Sequence, residues 1–188
     1  MRLFIGIPLS AEVVHQLSTV GSRLRRAGDG LRWTAPESWH ITLQFLGETP
    51  SDQYHGLVER LGEVRSPSFP VQIGALGFFD RAGVFFAGVE LSTPLLSLQH
   101  CVTAATSLCG FVPETRPYHP HITLARAKSR DRDQGSGIGA QPGLSGLKAQ
   151  IERWPPFTRF AAQDFNLYES FLGPGGSRYE VRERFPLA

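Results

Sequence analysis

Two histidines in this chain of 188 residues open the same tetrapeptide: His40-Ile41-Thr42-Leu43 and, eighty-one positions later, His121-Ile122-Thr123-Leu124. With 6 His, 10 Thr and 21 Leu to place, independent draws give about 0.04 copies of His-x-Thr-Leu, so two copies call for a reason. Imidazole is the side chain that changes charge near neutral pH. A pair of them can divide acid–base work: a neutral ring takes a proton from water, and a protonated ring gives one to a departing oxygen. The hydroxyls of Thr42 and Thr123 can donate hydrogen bonds to phosphoryl oxygens. Two imidazoles and two hydroxyls around one cavity suit the hydrolysis of a phosphate ester, and that division of labour needs no metal.

For the four side chains to meet, each motif must lie on a strand. Side chains on a strand alternate between its faces, so His40 and Thr42 share one face, and Ile41 and Leu43 the other. The same holds for His121 with Thr123 and for Ile122 with Leu124. Residues 39–46 and 119–127 read as these strands. Trp39 and Phe45 extend the apolar parity of the first, which places Phe45 in the core.

The rest of the chain supplies a frame. Residues 3–8 read as a buried strand, and Ser10 as the N-cap of a helix whose apolar stripe is Val13, Leu17, Val20 and Leu24. Residues 31–34 form a short strand. Ser51 or Asp52 is expected to cap a second helix, with Leu57, Leu61 and Val64 on its inner face. Residues 69–73 and 84–91 are strands around an Asp80-Arg81-Ala82-Gly83 turn. Leu95, Leu98, Val102, Ala105 and Leu108 mark a third helix that stops at Gly110. Residues 128–146, polar and rich in Gly and Ser, read as a mobile loop, and residues 148–154 as a short helix. Strands at 160–169 and 179–185 join through Gly173-Pro174-Gly175-Gly176. Two similarly patterned halves, each with one motif strand, make a single α+β domain of mostly antiparallel sheets with helices outside.

Composition narrows the function. Hydrophobic residues are 41% and charged residues 19%, as in ordinary globular proteins. The formal net charge of +2 is too small for bulk binding of nucleic acid or membrane, so any contact with a polyanion is local. Two cysteines do not make a disulfide framework, and Cys101, within an apolar helical pattern, is expected to be a buried free thiol. No apolar run approaches the ~18 residues of a bilayer span. The opening MRLFIGIPLS turns polar too soon for a secretory signal, which points to a cytoplasmic protein, taken as a monomer. Neither a G-x-x-x-x-G-K-[ST] loop nor a K-x-D-G motif occurs, so an ATP-dependent ligase is not supported.

The chain holds four further histidines. His119 shares the parity of His121 and, with His40, makes three imidazoles. No carboxylate adjoins either motif to orient metal ligands, so no metal is expected, and His119 reads as structural or cleft-lining. His15, His55 and His100 fall in helices without a role. Arg126, Lys128, Arg130 and Arg132 form a loose basic run, either a solvated loop or a guide for an RNA backbone, diluted by Asp131 and Asp133.

The stretches HITLQFLGE and PHITLAR resemble the paired H-x-T motifs of the two-histidine phosphoesterase superfamily. They are most similar to its RNA 2′,3′-cyclic phosphodiesterase (2′–5′ RNA ligase) branch. MRLFIGIPLS and LYESFLGPGGSRYEVRERFPL extend the resemblance over nearly the whole chain. It implies a bilobal α+β fold with a pseudo-twofold axis, two antiparallel sheets lining a central cleft, and helices on their backs. It implies metal-independent, cofactor-free hydrolysis of a terminal 2′,3′-cyclic phosphate on RNA or nucleotides to a 2′-phosphate, with reversible 2′–5′ joining in some members. By motif, His40 matches the proton donor to the leaving 3′ oxygen and His121 the proton acceptor that activates water. Thr42 and Thr123 match the phosphate-holding hydroxyls. Arg126 resembles a basic residue that follows the second motif. An odd step of five from His121 puts it on the opposite face unless the strand ends or bulges first, or the side chain reaches around an edge. Tyr179 resembles a position at the cleft, with sheet packing as its alternative. Two other functions keep the same residues: a non-catalytic module that binds RNA ends, and a hydrolase of another small cyclic phosphodiester.

Overall fold

The computed structural model describes residues 1–26, 29–127, 150–152, 154–173 and 176–188. Strand β1 (Arg2–Pro8) is followed by helix α1 (Ala11–Leu24), β2 (Leu31–Trp33), a 3-10 turn (Pro36–Ser38), β3 (His40–Glu48) and α2 (Ser51–Gly62). Then come β4 (Phe69–Val71), β5 (Ile73–Phe79), a second 3-10 turn (Asp80–Ala82), β6 (Val84–Val89), α3 (Thr93–Ser107) and β7 (His121–Ala127). The chain closes with β8 (Phe160–Ala162), β9 (Asp164–Gly173) and β10 (Gly176–Pro186). The expected loop at 128–146 and helix at 148–154 fall wholly or largely outside the described residues.

Two four-stranded sheets carry the motifs, in the orders β10-β9-β1-β3 and β2-β7-β6-β5, and β4 pairs with β8 in a small third sheet. Every pairing among the described residues is antiparallel. This is the expected α+β architecture, with one motif strand in each large sheet. Ile41, Leu43, Ile122 and Leu124 are buried in the core, as strand alternation requires.

The helices cover the backs of the sheets. Ser10 caps α1 by accepting from the Val13 N–H, and Val13, Leu17, Val20 and Leu24 form the buried stripe. Ser92 caps α3 in the same way, ahead of buried Leu95, Leu98, Val102 and Thr106. Helix α2 differs from expectation. Its N-cap is Pro50, which makes no side-chain cap bond, and Ser51 is already helical. Proline's fixed φ sets the chain entering the helix without a capping hydroxyl. Cys101 is exposed rather than buried. The stripe of α3 runs through Leu95, Val102 and Thr106, and at 3.6 residues per turn Cys101 lies about a third of a turn off it.

The two motif strands share an irregularity. Along β1, Ile5 faces Gln44 but Gly6 faces Thr42, which leaves Leu43 unmatched. Along β6, Phe85 faces Ala125 but Phe86 faces Thr123, which leaves Leu124 unmatched. Each is a β-bulge three residues after its histidine, and a bulge reverses the alternation beyond it. Gln44 and Ala125 therefore turn inward, and Phe45 and Arg126 turn outward. Buried Gln44 accepts a 2.8 Å bond from the Thr106 hydroxyl, which anchors its inward position.

Candidate active site

The outward faces of β3 and β7 converge on a cleft of about 400 Å³. His40, Thr42, His121 and Thr123 all line it. Arg126 joins them, because the bulge at Leu124 carries it onto the histidine face. Tyr179, from β10, lines the same cleft and sets its ring edge-on to His40 at 5.2 Å between centroids. All six side chains singled out in the sequence thus meet in one place.

Phe45 departs from expectation: it is 70% exposed and lines the cleft instead of the core. Strict parity from Ile41 fails here because the bulge intervenes. Leu172, 68% exposed on β9, adds a second apolar side chain to the same lining. Arg2, at the start of β1, also reaches the cleft. No local signal marks Phe45, because strict alternation puts polar Gln44 outward and apolar Phe45 inward, and only the bulge at Leu43 reverses the two.

Both imidazoles are held alike. His40 Nδ1 lies 2.8 Å from the Ser38 carbonyl, and His121 Nδ1 lies 2.8 Å from the His119 carbonyl. A carbonyl only accepts, so Nδ1 carries the proton in each ring and Nε2 is left as the reactive nitrogen. His40 Nε2 lies 3.1 Å from the Thr42 hydroxyl. Aromatic rings pack on both: Phe4 lies 4.5 Å from His40, and Phe79 and Phe86 lie 5.0 and 5.6 Å from His121. Glycine makes room for this packing. A Cβ on Gly6 would sit 2.9 Å from the Ile41 carbonyl oxygen and 3.2 Å from His40 Cδ2. His119 is structural: its carbonyl orients His121 and its ring rests against Phe79 at 5.3 Å.

Each motif strand is also clasped from elsewhere in the chain. The Tyr118 hydroxyl donates to the Thr42 carbonyl at 2.9 Å. The Thr34 hydroxyl is 2.9 Å from the Thr123 carbonyl and 2.8 Å from that of Leu124, and it accepts from Trp39 Nε1 at 2.8 Å.

Burial lowers both imidazole pKa values. For His40 the fall is to about 4, driven first by desolvation and then by the charges of His121 and Arg126, against the Ser38 bond that raises it. His121 moves the same way for the same leading reason, opposed by its bond to His119. Both rings are therefore neutral in the empty site at neutral pH. Among the described residues no three His, Cys, Asp or Glu side chains gather as a metal site. Nor is any helix there long and apolar enough to cross a membrane. A second hollow of about 770 Å³ follows the β5 edge, and its described lining includes Asp80, Glu90 and Glu152 but neither imidazole of the two motifs. The smaller cleft, which gathers both imidazoles, both threonines and Arg126, is the candidate site.

Two sheets that each deliver a histidine and a threonine to a shared cleft define a two-histidine phosphoesterase. The family model of LigT-like phosphoesterases matches residues 7–86 and 89–179, and the chain belongs to that family. It is 32% identical to the RNA 2′,3′-cyclic phosphodiesterase of Thermotoga maritima, over 96% of this chain and 92% of the relative. It is 28% identical to the Escherichia coli protein of the same name, over 99% and 96%. The crystal structure of E. coli LigT complexed with 3′-AMP superposes with a TM-score of 0.78 at 27% identity, covering 99% of this chain and 97% of that one.

Proposed function

We propose that this protein hydrolyses 2′,3′-cyclic phosphates at RNA or nucleotide ends to 2′-phosphates, with His40 as general acid and His121 as general base. The observation that carries the reading is the matched pair of imidazoles, each with Nδ1–H tied to a backbone carbonyl and Nε2 left for chemistry. The relatives named as RNA 2′,3′-cyclic phosphodiesterases, and a related enzyme crystallised with 3′-AMP, support the substrate class.

The lining supports this division of roles. Phe45, Leu172 and Tyr179 stand on the His40 side and offer apolar area to a nucleoside. The leaving 3′ oxygen belongs to that nucleoside, which favours His40 as the acid. His121 is less buried than His40 and meets water, so it is the base. Water attacks phosphorus as His121 Nε2 takes its proton. The bond to the 3′ oxygen breaks, and His40 Nε2–H returns a proton to that oxygen, which leaves a 2′-phosphate and a free 3′-hydroxyl. Thr42, Thr123 and Arg126 hold the non-bridging oxygens as charge builds there. The proton on His40 arrives with the substrate: the phosphodiester anion offsets the repulsion from Arg126 and favours the imidazolium. No metal or cofactor enters. One chain supplies both motifs, which supports action as a monomer, and its two free cysteines suit a reducing cytoplasm.

The test is an RNA oligonucleotide ending in a 2′,3′-cyclic phosphate, incubated with the protein in EDTA without ATP, with His40→Ala and His121→Ala alongside. A 2′-phosphate made by the wild type and by neither variant is the expected result. A 3′-phosphate product, or turnover that survives both substitutions, overturns the assignment.

A further inference from the structure

Arg126 has a neighbour on its own face of the sheet. Strand β2 pairs antiparallel with β7 in the register Leu31↔Ala127, Arg32↔Arg126 and Trp33↔Ala125. Residues directly opposite in an antiparallel pair project to the same side, with Cα atoms about 5 Å apart. The alternation along β2 agrees. Leu31 is buried and Trp33 packs its ring on Phe85 at 5.5 Å, so both face the core. Arg32 is exposed, and Thr34, two residues on, lines the cleft. Arg32 therefore stands on the cleft face one strand beyond the phosphate pocket.

Like charges directly opposite on neighbouring strands destabilise a sheet. Among the described residues no acidic side chain is paired with Arg32. Asp29, the nearest acid in sequence, is committed to the Leu31 and Arg26 N–H groups and to Trp33 Nε1. Arg2, the other arginine at the cleft, contrasts with it, because the residue across from Arg2 on β3 is Glu48. Strand β2 is also a sheet edge, so the outer side of Arg32 is open. A cation kept beside another cation, open to solvent and at the rim of a phosphate site, is placed for a second anion.

We infer that Arg32 binds the internucleotide phosphate immediately 5′ of the terminal nucleotide, and so tunes the enzyme to RNA ends over free cyclic mononucleotides. The inference rests on the proposed function and adds a contact outside the reacting centre. Two guanidiniums leaving adjacent strands can engage successive phosphates of one strand, with Arg126 on the cyclic phosphate and Arg32 on the next. The reacting atoms do not touch Arg32, so a substrate that ends at the cyclic nucleotide is blind to it.

The experiment compares adenosine 2′,3′-cyclic phosphate with the dinucleotide ApA bearing the same cyclic end, which adds one internucleotide phosphate. Wild type, Arg32→Ala and Arg32→Lys are assayed on both across a salt series. Expected is a wild-type preference for the dinucleotide in kcat/KM. Arg32→Ala loses about tenfold on the dinucleotide and nothing on the mononucleotide, its salt slope on the dinucleotide falls by about one, and Arg32→Lys keeps most of the preference. Arg32→Ala should melt no lower than wild type, since a like-charge pair is removed, so a folding defect cannot imitate the result. Equal losses on both substrates, or no loss on either, overturn the inference while leaving the proposed function standing. Failure of the wild type on both substrates overturns the proposed function and this inference with it.

Discussion

Phe45 and Arg126 occupy the same station on two related strands. Each follows its histidine by five residues, and each is turned into the cleft by one unmatched residue, Leu43 or Leu124. The frame is symmetric to this point and the side chains then differ: an exposed aromatic ring on one strand, a guanidinium on the other. That difference sets an aromatic ring on one side of the cleft and a cation on the other. Stacking of a base on an aromatic side chain is worth about 1–3 kcal/mol. Phe45→Ala should therefore raise KM for a cyclic mononucleotide by roughly 5- to 100-fold, with kcat changed little. Steady-state kinetics check this, and a fall in kcat at constant KM would place Phe45 in the chemical step instead.

Arg126→Ala removes charge-assisted hydrogen bonds to the phosphate, each worth about 1.5–3 kcal/mol. Inorganic phosphate should bind about 10- to 100-fold more weakly. The same substitution removes a cation that depresses both imidazoles, so the histidine pKa values should rise. Titration by NMR of the histidine ring protons reads both effects in one sample. An unchanged phosphate affinity would show that Arg126 merely lies at the cleft.

Most of this site was legible before any coordinates, and the reason is periodicity. The spacing of His and Thr fixes their common face for any strand, so the four side chains needed only the two strands to meet. The apolar stripe of α1 and its Ser10 cap were equally readable. What escaped depended on features without a period. A bulge adds one residue and reverses parity, which misplaced Phe45 and left Arg126 open. Leu172 and Arg2 reach the cleft only through the pairing of β9, β1 and β3, and pairing across the chain is invisible in local pattern. Cys101 was misread because one apolar residue beside a helical stripe looks like part of it.

Thr34 and Tyr118 tie the motif strands to the rest of the chain, and their loss should separate stability from binding. Thr34→Val removes the hydroxyl that the Trp39 indole and the Thr123 carbonyl share, while the Leu124 carbonyl keeps its bond from the backbone N–H of residue 34. Unsatisfied buried polar groups cost about 1–3 kcal/mol. At about 2–4 °C per kcal/mol for a chain of this size, Tm should drop by roughly 3–10 °C. Tyr118→Phe removes a single hydrogen bond, from the Tyr118 hydroxyl to the Thr42 carbonyl, and should cost less, about 1 kcal/mol. Calorimetry of the two variants against wild type checks the order, and a larger loss for Tyr118→Phe would contradict it.

Gly6 leaves space for His40. An alanine Cβ at 2.9 Å from the Ile41 carbonyl oxygen meets backbone, which cannot swing aside as a side-chain tip would. Strand β3 must shift, and His40 shifts with it. Displacement of a catalytic group by about 1 Å costs on the order of 100-fold in rate. Gly6→Ala should lower kcat by about 10- to 100-fold while phosphate affinity, which Thr123 and Arg126 on the other sheet also support, changes less. Parallel kinetics and phosphate titration decide the matter, and a variant with wild-type kcat would mean that the strand gives way without moving the ring.

The depressed pKa of His40 has a consequence for stability, with a definite sign. Above pH 6.5 the ring is neutral in folded and unfolded chains alike and contributes no pH dependence. Between 6.5 and about 4 the unfolded chain takes up a proton that the folded protein refuses, so stability falls as pH falls. At 1.36 kcal/mol per pKa unit the full loss approaches about 3 kcal/mol, and His121 adds to it in the same direction. Bound phosphate should reverse part of this, because an anion beside the ring favours the imidazolium. Phosphate binding is therefore expected to take up protons and to tighten as pH drops from 7 toward 5. Calorimetric titrations in buffers of different ionisation enthalpy measure that uptake directly. Urea midpoints between pH 4.5 and 7.5 measure the stability slope, which should flatten in His40→Asn. A slope unchanged in that variant would assign the pH dependence to other groups, and phosphate binding without proton uptake would remove His40 as the ring that charges when substrate arrives.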